Sequence, residues 1–304
     1  PVLLDSVKNY LPLSSHRLNY LKTTFLRDRR SILLWSGFGL FCVFTFHFLS
    51  DGDFSFLLTL SSGVSSFGFF LVLYKVLMSR SVEGLSLKSL LLYLILSLSR
   101  LSSILFSDAY LPYDRSGDWI YRSTECLGFV FLLLLVFAYR SFRFTYYEYT
   151  DAFGGRGRSG WHRVVVSLMG LFVYAMCVHP GLGGRWWIDV MWSYSHYVES
   201  IAIIPQLILF GRSRKGEIEA FTSHFVFAMG VSRLLALLFW CSCWRELNVN
   251  TNVVGSVLSG RSILLSQFIQ IVSMGRYVYY YVEATMKGTP LILQIGRASC
   301  RERV

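Results

Sequence analysis

Charge is what this sequence has least of. Only 15% of its 304 residues are Asp, Glu, Lys or Arg, against about 25% in soluble globular domains. Beside 54% apolar residues, that shortage excludes an ordinary soluble enzyme or binding module. It predicts an all-α chain that crosses a membrane many times. Acidic residues are the scarcer sign, 18 against 29 basic ones, for a net charge of +11. The excess belongs to cytosolic loops lying against anionic lipid. It does not suit nucleic acid, because the aromatics that would stack on bases sit inside the apolar runs. Six prolines are few enough to leave long helices intact. The cysteines form no CxxC pair, and Cys42, Cys126, Cys177, Cys241 and Cys243 lie in or beside apolar segments. Neither a disulfide framework nor a zinc site is expected. With no nucleophile–base pair, no metal cluster and no cofactor fingerprint, the pattern argues against an enzyme and calls for no cofactor.

Both ends are set aside. The chain begins at Pro1 and not at Met, so the true start is expected upstream. The last ten residues, 295–304 (IGRASCRERV), translate a common short-read sequencing adapter and are excluded as an artefact.

What is abundant is apolar sequence of spanning length. Runs at about 31–49, 54–78, 87–106, 119–139, 163–179, 187–210, 219–243 and 255–282 predict eight transmembrane helices. The connections alternate in charge. Residues 1–30 carry Lys8, Arg17, Lys22, Arg27, Arg29 and Arg30, and later cytosolic candidates carry Arg80 and Lys88, then Arg140, Arg143, Arg156, Arg158 and Arg163, then Arg212, Arg214 and Lys215. The alternate connections hold at most one basic residue each: none in DGDF, then Arg115, Arg185 and Arg245. The positive-inside rule therefore puts both termini in the cytosol.

Two stretches look like one another. RSVEGLSLKSLLLYLILSLSRL (80–101) and RSRKGEIEAFTSHFVFAMGVSRL (212–234) both run from Arg-Ser through Gly to Ser-Arg-Leu, each ending in a mid-membrane arginine. Repeats of this kind build transporter-like folds with a site at the midplane between two halves.

The arginines themselves are expensive. A guanidinium at the centre of a spanning helix costs about 2.5–3.5 kcal/mol even on a lenient scale. Arg100 shares a helical face with Tyr93, Ser97 and Ser103, a stripe that must face protein or a cavity. Two readings stay open for it: a receptor for a ligand carboxylate, gripped by two parallel hydrogen bonds, or a structural arginine satisfied by Glu199 or by carbonyls. Arg233 has the same two readings. Glu199, deep in the sixth run, neutralises one of these arginines or carries a proton. Asp189 and Trp192, one turn apart, would hold a cationic group by charge and ring face. Interfacial anchoring is the plainer alternative for Trp192, and the better one for Trp186 and Trp187. Arg276 near a helix end snorkels. Pro205-Gln206 marks a hinge within the sixth run.

These residues together resemble the KDEL-receptor family of ER lumen protein-retaining receptors. SRSVEGLSLKS is similar to that family's first cytosolic loop, YVESIAIIPQL to its Tyr-Leu-Glu-Ser…Leu-Pro-Gln-Leu signature, and FTSHFVFAMGVSRLL to its Thr-x-His-Tyr…Gly-x-x-Arg stretch. The three fall in the family's order within residues 55–290. The resemblance implies a seven-helix core (54–290) of two triple-helix bundles, akin to SWEET sugar transporters. One extra N-terminal transmembrane helix (31–50) precedes it, as in the family's longer paralogues, behind a basic cytosolic segment (1–30). It implies binding of C-terminal Lys/His-Asp-Glu-Leu-like tails of lumenal proteins in the Golgi and their return to the endoplasmic reticulum in COPI-coated vesicles. Arg100 then corresponds to the arginine that receives ligand carboxylate, Asp189 and Trp192 to the grip on the tail's basic residue, and Glu199 and Arg233 to the buried polar network. Arg245 stands near the third ligand arginine, two inserted residues away.

The departures are as specific. Leu58 stands where the family has its second ligand arginine, and Ser65 where it has a pH-sensing histidine. Ser232, Ala236 and Phe239 replace tyrosines and an asparagine, and Arg276 replaces an aspartate. His179 and His196 remain as pH-sensing candidates. MKGTPLILQ carries no paired lysines for a coat. A small-solute transporter of the SWEET or PQ-loop kind is the alternative, favoured by Pro205-Gln206 and by the repeat.

Overall fold

The computed structural model describes residues 29–117, 119–151, 153–155, 157–212, 220–248 and 256–287. Most of the basic segment at 1–30 and the adapter-like tail at 295–304 lie outside them. Among the described residues every regular element is helical. The helices are α1 (Arg29–Phe48), α2 (Phe56–Ser79), α3 (Leu87–Ile104), α4 (Ile120–Ser141), α5 (Gly157–Cys177), α6 (Trp186–Ala202), α7 (Ile204–Arg212), α8 (Ala220–Cys243) and α9 (Ser256–Lys287). Five of them, α2, α3, α4, α5 and α8, are long and apolar enough to cross a membrane. Such length and composition belong to a polytopic membrane protein. The apolar part of α1 is shorter, Leu33–Phe48.

The sixth run, expected as one helix over 187–210, is two. The chain turns at Ile203 between α6 and α7. Pro205 explains the break: it has no N–H to give to Ile201, and its ring crowds that carbonyl. The freed groups are caught from α3. Ser89 Oγ donates to the Ala202 carbonyl and accepts from the Gln206 N–H at 3.3 Å. Gln206 Oε1 accepts from the Ser86 N–H at 2.8 Å, and its Nε2 donates to the Gly84 carbonyl at 2.8 Å. Pro-Gln is therefore a buried clamp on the start of α3. Ser86 also caps α3, accepting from the Ser89 N–H at 3.2 Å.

Six helices close into a ring. Going round it, α2 packs on α4, α4 on α3, α3 on α6, α6 on α9, α9 on α8, and α8 back on α2. Each half of the ring has the same order, first–third–second: α2–α4–α3, then α6–α9–α8. The two arginine helices, α3 and α8, occupy equivalent places, as the repeated sequence around Arg100 and Arg233 would require. Small polar residues fasten the seams, where interhelical approach needs little bulk. Ser61 and Ser232 each donate to the other's carbonyl, at 2.9 and 2.8 Å. On the opposite seam Ser103 Oγ donates to the Ile188 carbonyl at 2.9 Å. Outside the ring, α5 lies against α6 and α1 against α2. The end of α1 is tied to the α3–α4 loop: Asp114 accepts from Ser50 Oγ and from the Asp51 N–H, both at 2.7 Å. Burial pushes the Asp114 carboxyl up, but these donors and Ser116 outweigh it and hold it below the usual carboxylate range.

Candidate functional site: a buried ion cluster inside the ring

Helix α6 supplies the spine of the site. Asp189, Trp192, His196 and Glu199 recur at spacings of three, four and three, which puts them on one face. All four are buried. Glu199 is the centre. Its Oε2 takes Arg100 Nη2 from α3 at 2.7 Å, and its Oε1 takes Arg233 Nη1 from α8. The two arginines of the repeat thus meet on one carboxylate. Arg100 Nη1 also lies 3.5 Å from Glu125 Oε1 on α4, and Arg233 Nη2 donates to Ser232 Oγ at 2.8 Å. Two cations face two carboxylates, as a low-dielectric interior demands. Each guanidinium keeps one buried donor, its Nε–H, without a partner. The Arg100 stripe, Tyr93, Ser97 and Ser103, is buried with it, facing protein.

Toward the start of α6 the site becomes aromatic. Tyr110, from the α3–α4 loop, stacks on Trp192 with ring centroids 4.3 Å apart and donates its hydroxyl to Asp189 Oδ1. The Gly183 N–H donates to the same oxygen at 2.7 Å. Burial, and then the bond to Asp189, push the Tyr110 phenol up, so the hydroxyl stays a donor. Trp192 also meets Trp240 of α8 edge-on at 5.3 Å. His196 lies against both rings. Its Nδ1 is 3.5 Å from Glu199 Oε2 and 3.2 Å from Gln267 Nε2 of α9. That nitrogen can serve one of them at a time. A neutral ring accepts from Gln267; a protonated ring donates to Glu199.

Of the candidates named from sequence, Arg100, Asp189, Trp192, Glu199, Arg233 and His196 are brought together. Arg245 is not: it is exposed beyond the end of α8, over the ring of Trp244. His179 is buried in the connection after α5, with Nδ1 3.0 Å from the Pro180 carbonyl. Arg276 is exposed on α9, over Tyr280. Ser65 bonds the Ser62 carbonyl of its own helix, and Leu58 is core. Glu125, Tyr110, Trp240 and Gln267 are the members that sequence reasoning missed. Glu125 had a signal, a carboxylate inside a run of spanning length.

Residues 81–243, from just before α3 to the end of α8, match the family model described as the ER lumen protein retaining receptor. The chain is 27% identical over 227 residues to an ER lumen protein-retaining receptor of Dictyostelium discoideum, covering 73% of this chain and 91% of the relative. It is 29% identical over 230 residues to ER lumen protein-retaining receptor 3 of Mus musculus, covering 74% and 91%. Against the Drosophila melanogaster receptor it is 29% identical over 227 residues, covering 75% and 93%. A match over more than half its length, through every helix that supplies the ion cluster, means that the chain belongs to the ER lumen protein-retaining receptor family.

Proposed function

We propose that this protein binds the C-terminal tails of ER lumenal proteins, of the Lys/His-Asp-Glu-Leu kind, in the Golgi and returns them to the endoplasmic reticulum by retrograde vesicle traffic. The observation that carries this reading is a distance. Asp189 and Glu199 are ten residues apart on α6, a rise of about 15 Å. A four-residue tail in extended form spans about 13–14 Å. A basic residue that takes the place of Tyr110 on Asp189 and the Trp192 face leaves the tail's terminal carboxylate at the level of Arg100. There the free Nε–H donors of Arg100 and Arg233 remain to receive it, and Glu199 holds both forks in place. His196, between the two ends, is the group through which acidity would act.

The orientation proposed is eight spans with both ends cytosolic. A basic segment (1–30) and an added helix (31–50) precede the receptor domain (54–290) of two triple-helix bundles, which the shared first–third–second packing order supports. The cytosolic side would meet anionic lipid and the COPI coat. Glycosylation reporters at 51–53 and 112–116 are expected to be modified and a reporter at 154–158 is not; modification at 154–158 would reverse the orientation. The second reading is a small-solute transporter of the SWEET or PQ-loop kind; the Pro205–Gln206 clamp does not part the two, because Pro-Gln also stands in the receptor signature. The two part in reconstituted protein. The receptor binds peptides with a basic residue four from a free C-terminus saturably and passes no solute. Solute flux without saturable binding of any such peptide would overturn the receptor.

A further inference from the structure

The seat that the proposed function gives to the tail's basic head is already taken. Tyr110 lies flat on Trp192, with ring centroids 4.3 Å apart and planes 16° from parallel, and gives its hydroxyl to Asp189. It supplies what a bound head would supply, a surface for the indole and a donor for the carboxylate. The Gly183 N–H is a second donor to the same oxygen. Among the described residues no lysine or arginine pairs with Asp189. His179 bears on its charge from the connection between α5 and α6, with Nδ1 turned to the Pro180 carbonyl at 3.0 Å. A buried carboxylate served by neutral donors favours a cation in the place of one of them. The room for it is the room Tyr110 fills, since a phenol ring is larger than an imidazole or the end of a lysine.

Tyr110 rides on a loop with one loose half and one fastened half. From Ser107 to Leu111 the backbone bonds are short-range: the Ala109 N–H to Ser107 Oγ at 3.3 Å and the Leu111 N–H to the Asp108 carbonyl at 3.1 Å. Asp108 adds an ion pair with Arg122, on the exposed side where such pairs hold little. Beyond Pro112 the loop is fixed. Asp114 accepts from Ser50 Oγ and the Asp51 N–H, both at 2.7 Å. The Arg115 N–H donates back to Asp51 at 3.1 Å, and Ser116 Oγ lies 2.8 Å from Thr59 Oγ1 of α2. Ser50 and Asp51 follow the end of α1. Leu111, Pro112 and Tyr113 alone separate this latch from Tyr110, and the proline locks one backbone dihedral of that short tether. Helix α1 gives no side chain to the ion cluster among the described residues; the latch is its link with the site.

Resting on the receptor reading, we propose that residues 107–111 form a lid, closed in this structure, in which Tyr110 occupies the head's seat as an internal competitor and the Asp114 latch to the end of α1 holds it there. A tail whose basic head is to reach Asp189 binds only those molecules that Tyr110 has left. Its apparent Kd is then the intrinsic one divided by the open fraction. A tail with no head to seat leaves the lid shut and is indifferent to it. The added helix thereby sets the receptor's threshold for cargo.

The test is peptide binding to full-length protein in nanodiscs, with one peptide ending Lys-Asp-Glu-Leu and one ending Ala-Asp-Glu-Leu. Tyr110→Phe keeps the ring, and with it the packing, but takes the donor from Asp189. A hydrogen bond to a charged group is worth about tenfold, so this variant is expected to bind the lysine tail about tenfold tighter than wild type. The alanine tail should change by less than about twofold. Asp114→Ala, which frees the latch, should tighten the lysine tail by about threefold and have no effect in a Tyr110→Ala background, where no ring is left to hold. Weaker or unchanged binding of the lysine tail by Tyr110→Phe overturns the lid, because Tyr110 is then part of the ligand's grip or a bystander. Equal gains for both peptides also overturn it, placing Tyr110 in the path of every tail and not in the head's seat. An Asp114→Ala effect that is absent, or that persists without the Tyr110 ring, overturns the latch. If wild type and these variants bind neither peptide saturably, the receptor reading itself falls and takes the lid with it.

Discussion

Glu199→Gln is expected to cost this protein more of its folded state than any other single change in the bundle. The glutamine keeps the shape but removes the charge that two buried guanidiniums share. The amide oxygen can accept from one arginine, but the other meets an NH2 donor instead. That leaves Arg233 with Ser232 Oγ or Arg100 with the more distant Glu125, and neither with a full counter-charge at residue 199. Breaking a buried ion pair from one side costs roughly 3–5 kcal/mol, a large fraction of the roughly 5–15 kcal/mol that holds an ordinary domain together. The measurement is thermal unfolding in detergent, followed by monodispersity and intrinsic fluorescence. Coupling identifies the cause. Adding Arg233→Met to Glu199→Gln restores the balance, one arginine facing Glu125, and part of the lost stability should return. If the double variant is as weak as the sum of its parts, the two residues act independently and the shared-carboxylate account is wrong.

That cluster was half legible in the sequence, for a physical reason. A single arginine among leucines announces itself because hydrocarbon makes it expensive, so Arg100, Arg233 and Glu199 stood out; the sequence reading paired Glu199 with one arginine, whereas the fold brings it both. Glu125 met the same criterion but sits among Arg122, Ser123 and Thr124 at the start of α4, where a charge looks interfacial. The ring turns its side chain inward to Arg100 instead. Gln267 gave no such signal, since a neutral amide barely dents an apolar run and its burial depends on the neighbours of α9. Arg245 shows the converse. Two positions beyond the end of α8 were enough to carry it to an exposed turn, whatever motif it stood near. The hinge at Pro205 was legible from covalent chemistry, but its partners Ser89, Ser86 and Gly84 lie more than a hundred residues away, and only the packing of α3 on α6 and α7 brings them to it.

Arg100→Lys separates folding from recognition more cleanly than Arg100→Ala does. Alanine leaves Glu199 and Glu125 facing a single remaining arginine, so a loss of binding would be confounded with a loss of fold. Lysine keeps the positive charge beside Glu199 and should reach the same compartment as wild type. What it cannot keep is the planar fork, with one edge on Glu199 Oε2 at 2.7 Å and the Nε–H left over. An ammonium occupied by Glu199 has no second, fixed donor to offer a ligand carboxylate. If Arg100 receives that carboxylate, Arg100→Lys should weaken tail binding by roughly 2–5 kcal/mol, at least tenfold in Kd. Amidating the peptide's C-terminus should weaken binding to wild type by a similar factor, yet cost Arg100→Lys little, because the partner is already gone. A purely structural arginine predicts the opposite pattern: lysine would hold the cluster, and the acid-to-amide ratio would be the same in both proteins. Equal ratios in a well-folded Arg100→Lys would therefore remove Arg100 from the binding site, and attention would pass to Arg233, whose buried Nε–H is the other unpartnered donor beside Glu199.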